Sequence, residues 1–293
     1  MTARRPIVVG IDGSPSSLQA VAWAAREAVL RHAPLSVVTT TFMPGVYGVP
    51  IGVPASFFEE EELEGKKRLT RAEEVAAEVA AGRTLDIDSA LTTGTPAGML
   101  LERAESALMV VVGANGRGVL ARGFLGSVSA AVATHAQCPV AVIRGLPELD
   151  INELTGPVVV GVDGSKHSEP AISMAFEEAA LRQTELVAVH AWSDVDVHVS
   201  FEGDRDTEWA KLVASETALL SESLAGRVEQ YPDVQVRSVV VMDQPARNLR
   251  EHAEEAQLLI VGSRGRGGFA SMLLGSTSRA LMHSVNCPLL IVR

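Results

Sequence analysis

The chain has 293 residues and a mass of 30.9 kDa, which at roughly 100–200 residues per domain predicts two domains. Its 47% hydrophobic and 21% charged content excludes a disordered protein, and with only 4% aromatic residues the core must come from Val, Ala, Leu and Ile. A net charge of −11, from 25 basic and 36 acidic residues, excludes general nucleic-acid binding, because no basic stripe interrupts the acidic surface.

In chain order, the opening residues lead into an apolar run that meets Gly10 and Asp12 too soon for a signal-peptide core, so 7–11 reads as the first strand. Apolar residues at helical spacing predict a helix from Ser16 to Arg31. A second strand follows at 35–40, and then 43–54, too rich in Pro and Gly for a regular element. The run Glu59 to Glu62 with Glu64 reads as the solvated start of a long helix reaching Ala81 rather than a metal site. Strands are expected at 85–91, 108–112 and 140–144, with Thr95 capping a helix that starts near Pro96.

The same series then returns. Residues 7–38 align with 158–189 at an offset of 151, with 15 identities in 32 positions, among them Glu27/Glu178 and Arg31/Arg182. Further strands are expected at 158–162, 186–191, 234–242, 258–261 and 289–293, with Asp243 as a cap near Pro245. A period this long marks a duplicated domain, here 1–146 and 156–293, joined by a polar linker at 147–155. Short Val- and Ile-rich strands alternating with helices predict an α/β fold with two doubly wound parallel sheets of five strands each. Cys138 and Cys287, each before a proline, read as small buried hydrophobes of a reducing, cytoplasmic protein. No run approaches the 18 or so apolar residues of a membrane-spanning helix, so no membrane association is expected.

Ligands of open parallel sheets bind beyond the carboxyl ends of the strands, where the winding reverses. Gly10-Ile11-Asp12-Gly13 and Gly161-Val162-Asp163-Gly164 stand there, after the first strand of each copy. The aspartates could accept a ligand hydroxyl or amide hydrogen, help hold a divalent metal, or simply cap the following helix. After the fourth strand, Gly113-x2-Gly116-x9-Gly126-Ser127 and Gly262-x2-Gly265-x9-Gly275-Ser276 share one spacing at an offset of 149, with Arg117 and Arg266 inside the loop. Small residues leave backbone N–H groups open to an anion, and the helix that follows favours phosphate at its amino end. The alternative is a loop kept glycine-rich for packing, with Ser127 and Ser276 as ordinary caps. A P-loop needs a Gly-Lys pair that neither cluster contains, and a dinucleotide fingerprint would follow the first strand instead.

These motifs resemble those of the universal stress protein family, in its tandem two-domain, mycobacterial or actinobacterial form, over nearly the whole chain. The resemblance implies an adenine nucleotide alpha hydrolase-like fold with strand order 3-2-1-4-5 and two ATP sites, Mg2+ being an optional companion. It places Gly10, Ile11, Asp12, Gly13 and Gly161, Val162, Asp163, Gly164 on the adenosine, with Thr40 and Ala191 flanking the base. Gly113, Ala114, Asn115, Gly116, Arg117, Gly118 and Val119 would wrap ribose and phosphates, as would Gly262, Ser263, Arg264, Gly265, Arg266, Gly267 and Gly268. Gly126, Ser127, Val128, Ser129 and Gly275, Ser276, Thr277, Ser278 would take phosphate oxygens, and Asp194 is a further contact in the second copy alone.

The implied function is nucleotide-dependent stress and growth regulation, by a homodimer meeting through edge strands and an unidentified protein partner. A slow ATPase or nucleotidyl-group transferase, and an interaction protein with a structural nucleotide, are the alternatives. Catalytic residues are not apparent: none of the seven histidines repeats at an aligned position, and His190 is replaced by Thr39 in the first copy.

Overall fold

The computed structural model describes residues 4–41, 54–116, 125–144, 154–192, 205–266 and 273–293. The chain divides into two compact units, residues 1–151 and 152–293. In the first, β1 (Ile7–Gly10), β2 (Leu35–Thr41), β3 (Ile87–Thr93), β4 (Met109–Gly113) and β5 (Val140–Ile143) lie side by side in the order 3-2-1-4-5. Every described pairing is parallel: Ile7 faces Leu35 and Met109, Leu35 faces Ile87, and Val110 faces Val140. In the second unit β6 (Val158–Val162), β7 (Leu186–Trp192), β8 (Val236–Met242), β9 (Leu258–Gly262) and β10 (Leu289–Val292) take the order 8-7-6-9-10. There Val158 faces Leu186 and Leu258, and Leu186 faces Val236.

Helices cover both faces of each sheet, so the central strands are buried almost throughout and read as continuous Val, Ile and Leu runs. The helix α1 (Pro15–Arg31) packs on α2 (Ala55–Ala80), while α3 (Pro96–Ala104) packs on α4 (Ser127–His135). Likewise α5 (Glu169–Arg182) meets α6 (Arg205–Gln230), and α7 (Pro245–His252) meets α8 (Ser276–Ser284). Alanine lets α1 approach the sheet closely: Ala20, Ala22, Ala24 and Ala25 are fully buried. Glu27 and Arg31, and again Glu178 and Arg182, form buried ion pairs one turn apart, which accounts for their recurrence in both copies.

The expected α/β parallel-sheet class is the observed one, with shifts at several element ends. The half-exposed edge strands β3 and β8 start two residues later than expected, because polar pairs near their starts, Asp88-Ser89 and Arg237-Ser238, leave no apolar run to mark where pairing begins. The Thr95 hydroxyl does cap α3, accepting from the Gly98 amide at 3.2 Å. Asp243 does not cap α7. Gln244 takes that position with φ 48°, and the Asp243 carbonyl accepts from the Asn248 side chain at 2.7 Å. Neither Ser127 nor Ser276 is a cap either, since Gly126 and Gly275 precede them at the N-cap. The linker 147–155 lies mostly outside the described residues, and no described helix is long and apolar enough to cross a membrane.

Candidate functional site

At the end of β1 the backbone must turn sharply into α1. Gly13 does so at φ 80°, and Asp12 Oδ1 accepts from the Ser14 amide at 2.9 Å. Ser14 is itself the cap of α1, its hydroxyl accepting from the Ser17 amide. The aspartate therefore braces the turn, and capping falls to its neighbour. Two bonds sew this turn to the loop after β4: the Ser14 hydroxyl donates to the Asn115 carbonyl, and the Asn115 amide donates to Ser16 Oγ, both at 3.4 Å. Glycine is required at position 113, where an added Cβ would stand 2.7 Å from the Ser16 backbone.

The loop then returns to start α4. The Gly126 amide donates to the Ala114 carbonyl at 2.8 Å, and the Ser129 hydroxyl donates to the Gly113 carbonyl at 2.6 Å. With glycine at the cap, no capping side chain hydrogen-bonds to the first turn. The amides of Ser127, Val128 and Ser129 consequently have no acceptor among the described residues. Three free N–H groups at the positive end of a helix dipole form a receptor for phosphate oxygens.

These pieces line a crevice of about 580 Å³ across the carboxyl ends of the strands. Gly10, Ile11, Asp12, Thr40, Gly113, Asn115, Gly116, Gly126, Ser127, Val128 and Ser129 all reach its wall, while Gly13 and Ala114 do not. Sequence reasoning missed its other walls: Pro96, Met99 and Leu100 from α3, and Glu61 and Arg68 from α2. The apolar part, with Val38 and Val112, suits a flat ring, and the glycine-capped end suits an anion.

The second unit repeats the plan on a smaller scale, in a crevice of about 220 Å³. Gly161, Val162, Asp163, Ala191, Gly262, Arg264, Gly265, Arg266, Gly275, Ser276, Thr277 and Ser278 line it, whereas Gly164 and Ser263 do not. Ser278 Oγ donates to the Gly262 carbonyl at 2.7 Å, matching Ser129. Both oxygens of Asp163 are engaged. Oδ1 accepts from the Ser165 amide and hydroxyl at 2.9 and 2.8 Å, and Oδ2 from the Arg266 amide at 2.7 Å. His190 is 1% exposed and stands off the wall, Nδ1 donating to the Val162 carbonyl and Nε2 meeting Glu216 at 2.8 Å. Arg117, Gly118, Val119, Asp194, Gly267 and Gly268 lie outside the described residues.

The profile of the Universal stress protein family matches this chain twice, over residues 3–144 and 155–293. A universal stress protein of Mycobacterium tuberculosis (strain ATCC 25618 / H37Rv) is 43% identical over 288 residues, 98% of this chain and 96% of that protein. Another from the same strain is 39% identical over 289 residues, again covering 98% and 96%. Among solved structures, a universal stress protein from Archaeoglobus fulgidus superposes with a TM-score of 0.70 at 19% identity, covering 99% of this chain and 97% of that one, which supports the fold.

Proposed function

The chain belongs to the universal stress protein family, and on that premise we propose that it is an ATP-binding regulator whose crevices grip the nucleotide without a dedicated catalytic base. The observation that carries the reading is the uncapped first turn of α4 facing the Asp12 turn across one crevice. The free amides of Ser127, Val128 and Ser129 would take phosphate oxygens, and the Asp12 carboxylate, acceptor only, would take a ribose hydroxyl. Val38, Val112 and Leu100 would pack against the base. Amides donate but cannot move a proton at neutral pH, so this constellation holds a triphosphate and offers little to cleave it.

Regulation follows only when a ligand prefers one of two states, so ATP is expected to change assembly, partner binding or protease sensitivity. The proposal includes two ATP sites per chain, a homodimer and cytoplasmic residence. Mass spectrometry of the small molecules released by denaturing purified protein tests it first, with adenine nucleotide the expected finding. Calorimetric titration of ligand-stripped protein with ATP, with and without Mg2+, tests it second. Absence of heat together with an unmoved melting temperature would sink it, as would full ATP affinity in a chain carrying Asp12→Glu and Gly113→Ala.

A further inference from the structure

Among the described residues, the first crevice has a wall that the second lacks. Helix α2 brings Glu61 and Arg68 to it, seven residues and so about two helical turns apart, and Thr40 and Thr41 at the end of β2 line the same crevice. Neither side chain makes a hydrogen bond or ion pair among the described residues, and the Nε–H of Arg68 is fully buried with no acceptor. A buried donor without a partner is a standing cost, and native proteins keep such groups where something else supplies the acceptor. The second unit is built otherwise. On α6, Glu216 is spent on His190, and Leu219 fills the space over Gly164, where an added Cβ would lie 2.3 Å from its Cδ2. No described residue of α6 lines that crevice.

We propose that Arg68 and Glu61 form a base-recognition subsite confined to the first crevice, which takes the edge of a purine ring. This deepens the nucleotide reading and rests on it. The phosphate end is already furnished by the α4 amides, and a polyphosphate offers acceptors only, so a carboxylate in the same wall would repel it. A purine edge offers acceptors and donors together. Guanidinium and carboxylate groups answer these in turn, Arg toward ring nitrogen or carbonyl acceptors and Glu toward amino or imino hydrogens.

Calorimetry on the ligand-stripped full chain, with adenosine, AMP and ATP as probes, tests the assignment. Arg68→Met is expected to weaken all three at one of the two sites by a common factor of about 10- to 100-fold and to leave the other unchanged. Arg68→Lys, a milder change should the methionine variant fold poorly, is expected to lose nearly as much, since an ammonium cannot reproduce the planar fork. Glu61→Gln, titrated with AMP and with IMP as a fourth probe, is expected to alter the ratio of their affinities, because the two bases differ at the 6-position, and an unchanged ratio overturns the part assigned to Glu61. Unchanged binding in Arg68→Met and Arg68→Lys overturns the subsite. So does a loss that grows with phosphate number or is rescued by lysine, either of which would make Arg68 a phosphate grip. If the wild-type chain binds none of the three probes, the nucleotide reading falls and the subsite falls with it.

Discussion

The Ser129 hydroxyl donates to the Gly113 carbonyl at 2.6 Å, so one side chain fastens the start of α4 to the end of β4 and fixes where the free amides point. Ser129→Ala is expected to cost about 1 kcal/mol, the net worth of a typical hydrogen bond, with the urea midpoint lowered and the m-value unchanged. ATP affinity is expected to fall with it. Ser278→Ala should repeat the stability loss through Gly262.

Gly113 and Gly116 weigh differently on folding. A Cβ at Gly113 meets the backbone of Ser16 at 2.7 Å, whereas one at Gly116 meets only the Asp12 carboxylate oxygen, at 2.9 Å. Backbone cannot step aside cheaply and a carboxylate can. Gly113→Ala is expected to destabilise by about 1–3 kcal/mol in chemical denaturation. Gly116→Ala is expected to cost less than Gly113→Ala, about 1 kcal/mol for the disturbed Asp12–Ser14 hydrogen bond, and to weaken ATP binding by displacing Asp12.

The bond between His190 and Glu216 makes a prediction by substitution. The Val162 carbonyl can only accept, so Nδ1 carries a hydrogen and Nε2 depends on Glu216 for its partner. Glu216→Gln keeps a hydrogen-bonding group there, while Glu216→Ala leaves a buried ring nitrogen alone. The alanine variant is expected to lose about 1–3 kcal/mol and the glutamine variant less, read from denaturation midpoints.

Burial pushes the Cys287 thiol up to about 12. An unfolded cysteine releases its proton near about 8.5. The native state therefore holds a proton that the unfolded chain gives up first, and the associated stability is present below that value and lost as pH climbs towards 12. Melting temperatures from pH 8 to 10.5 are expected to fall more steeply for the wild type than for Cys287→Ala. With Cys287 only 5% exposed, a thiol reagent should label it only after unfolding.

Much of this was legible because the chain states its plan twice. The glycine that ends the fourth strand is crowded in both copies, by the Ser16 backbone at 2.7 Å in the first and less tightly by the Arg264 and His167 carbonyls at 3.0 Å in the second. Thr95 was readable as a cap because threonine before proline at a helix start is a local signal. Asp243 misled because a left-handed Gln244 intervenes, and nothing in its side chain announces that conformation. Arg68 was hidden for another reason. Its place in the crevice depends on how a 26-residue helix docks, and repetition gave no help, since α6 differs there. The one available sign was a charge within the inward stripe that runs through Gly65, Leu69, Ala72 and Ala76.

Crevices of about 580 and 220 Å³ on one polypeptide differ in size and in the side chains that line them, and nothing in their geometry ties them to one half-saturation point. On the nucleotide reading, unequal affinities of the two crevices would leave a singly loaded chain over an interval of concentration. A dose–response drawn out beyond a single hyperbola would let one molecule report how much ligand is present, where two matched crevices would report mainly that it has arrived.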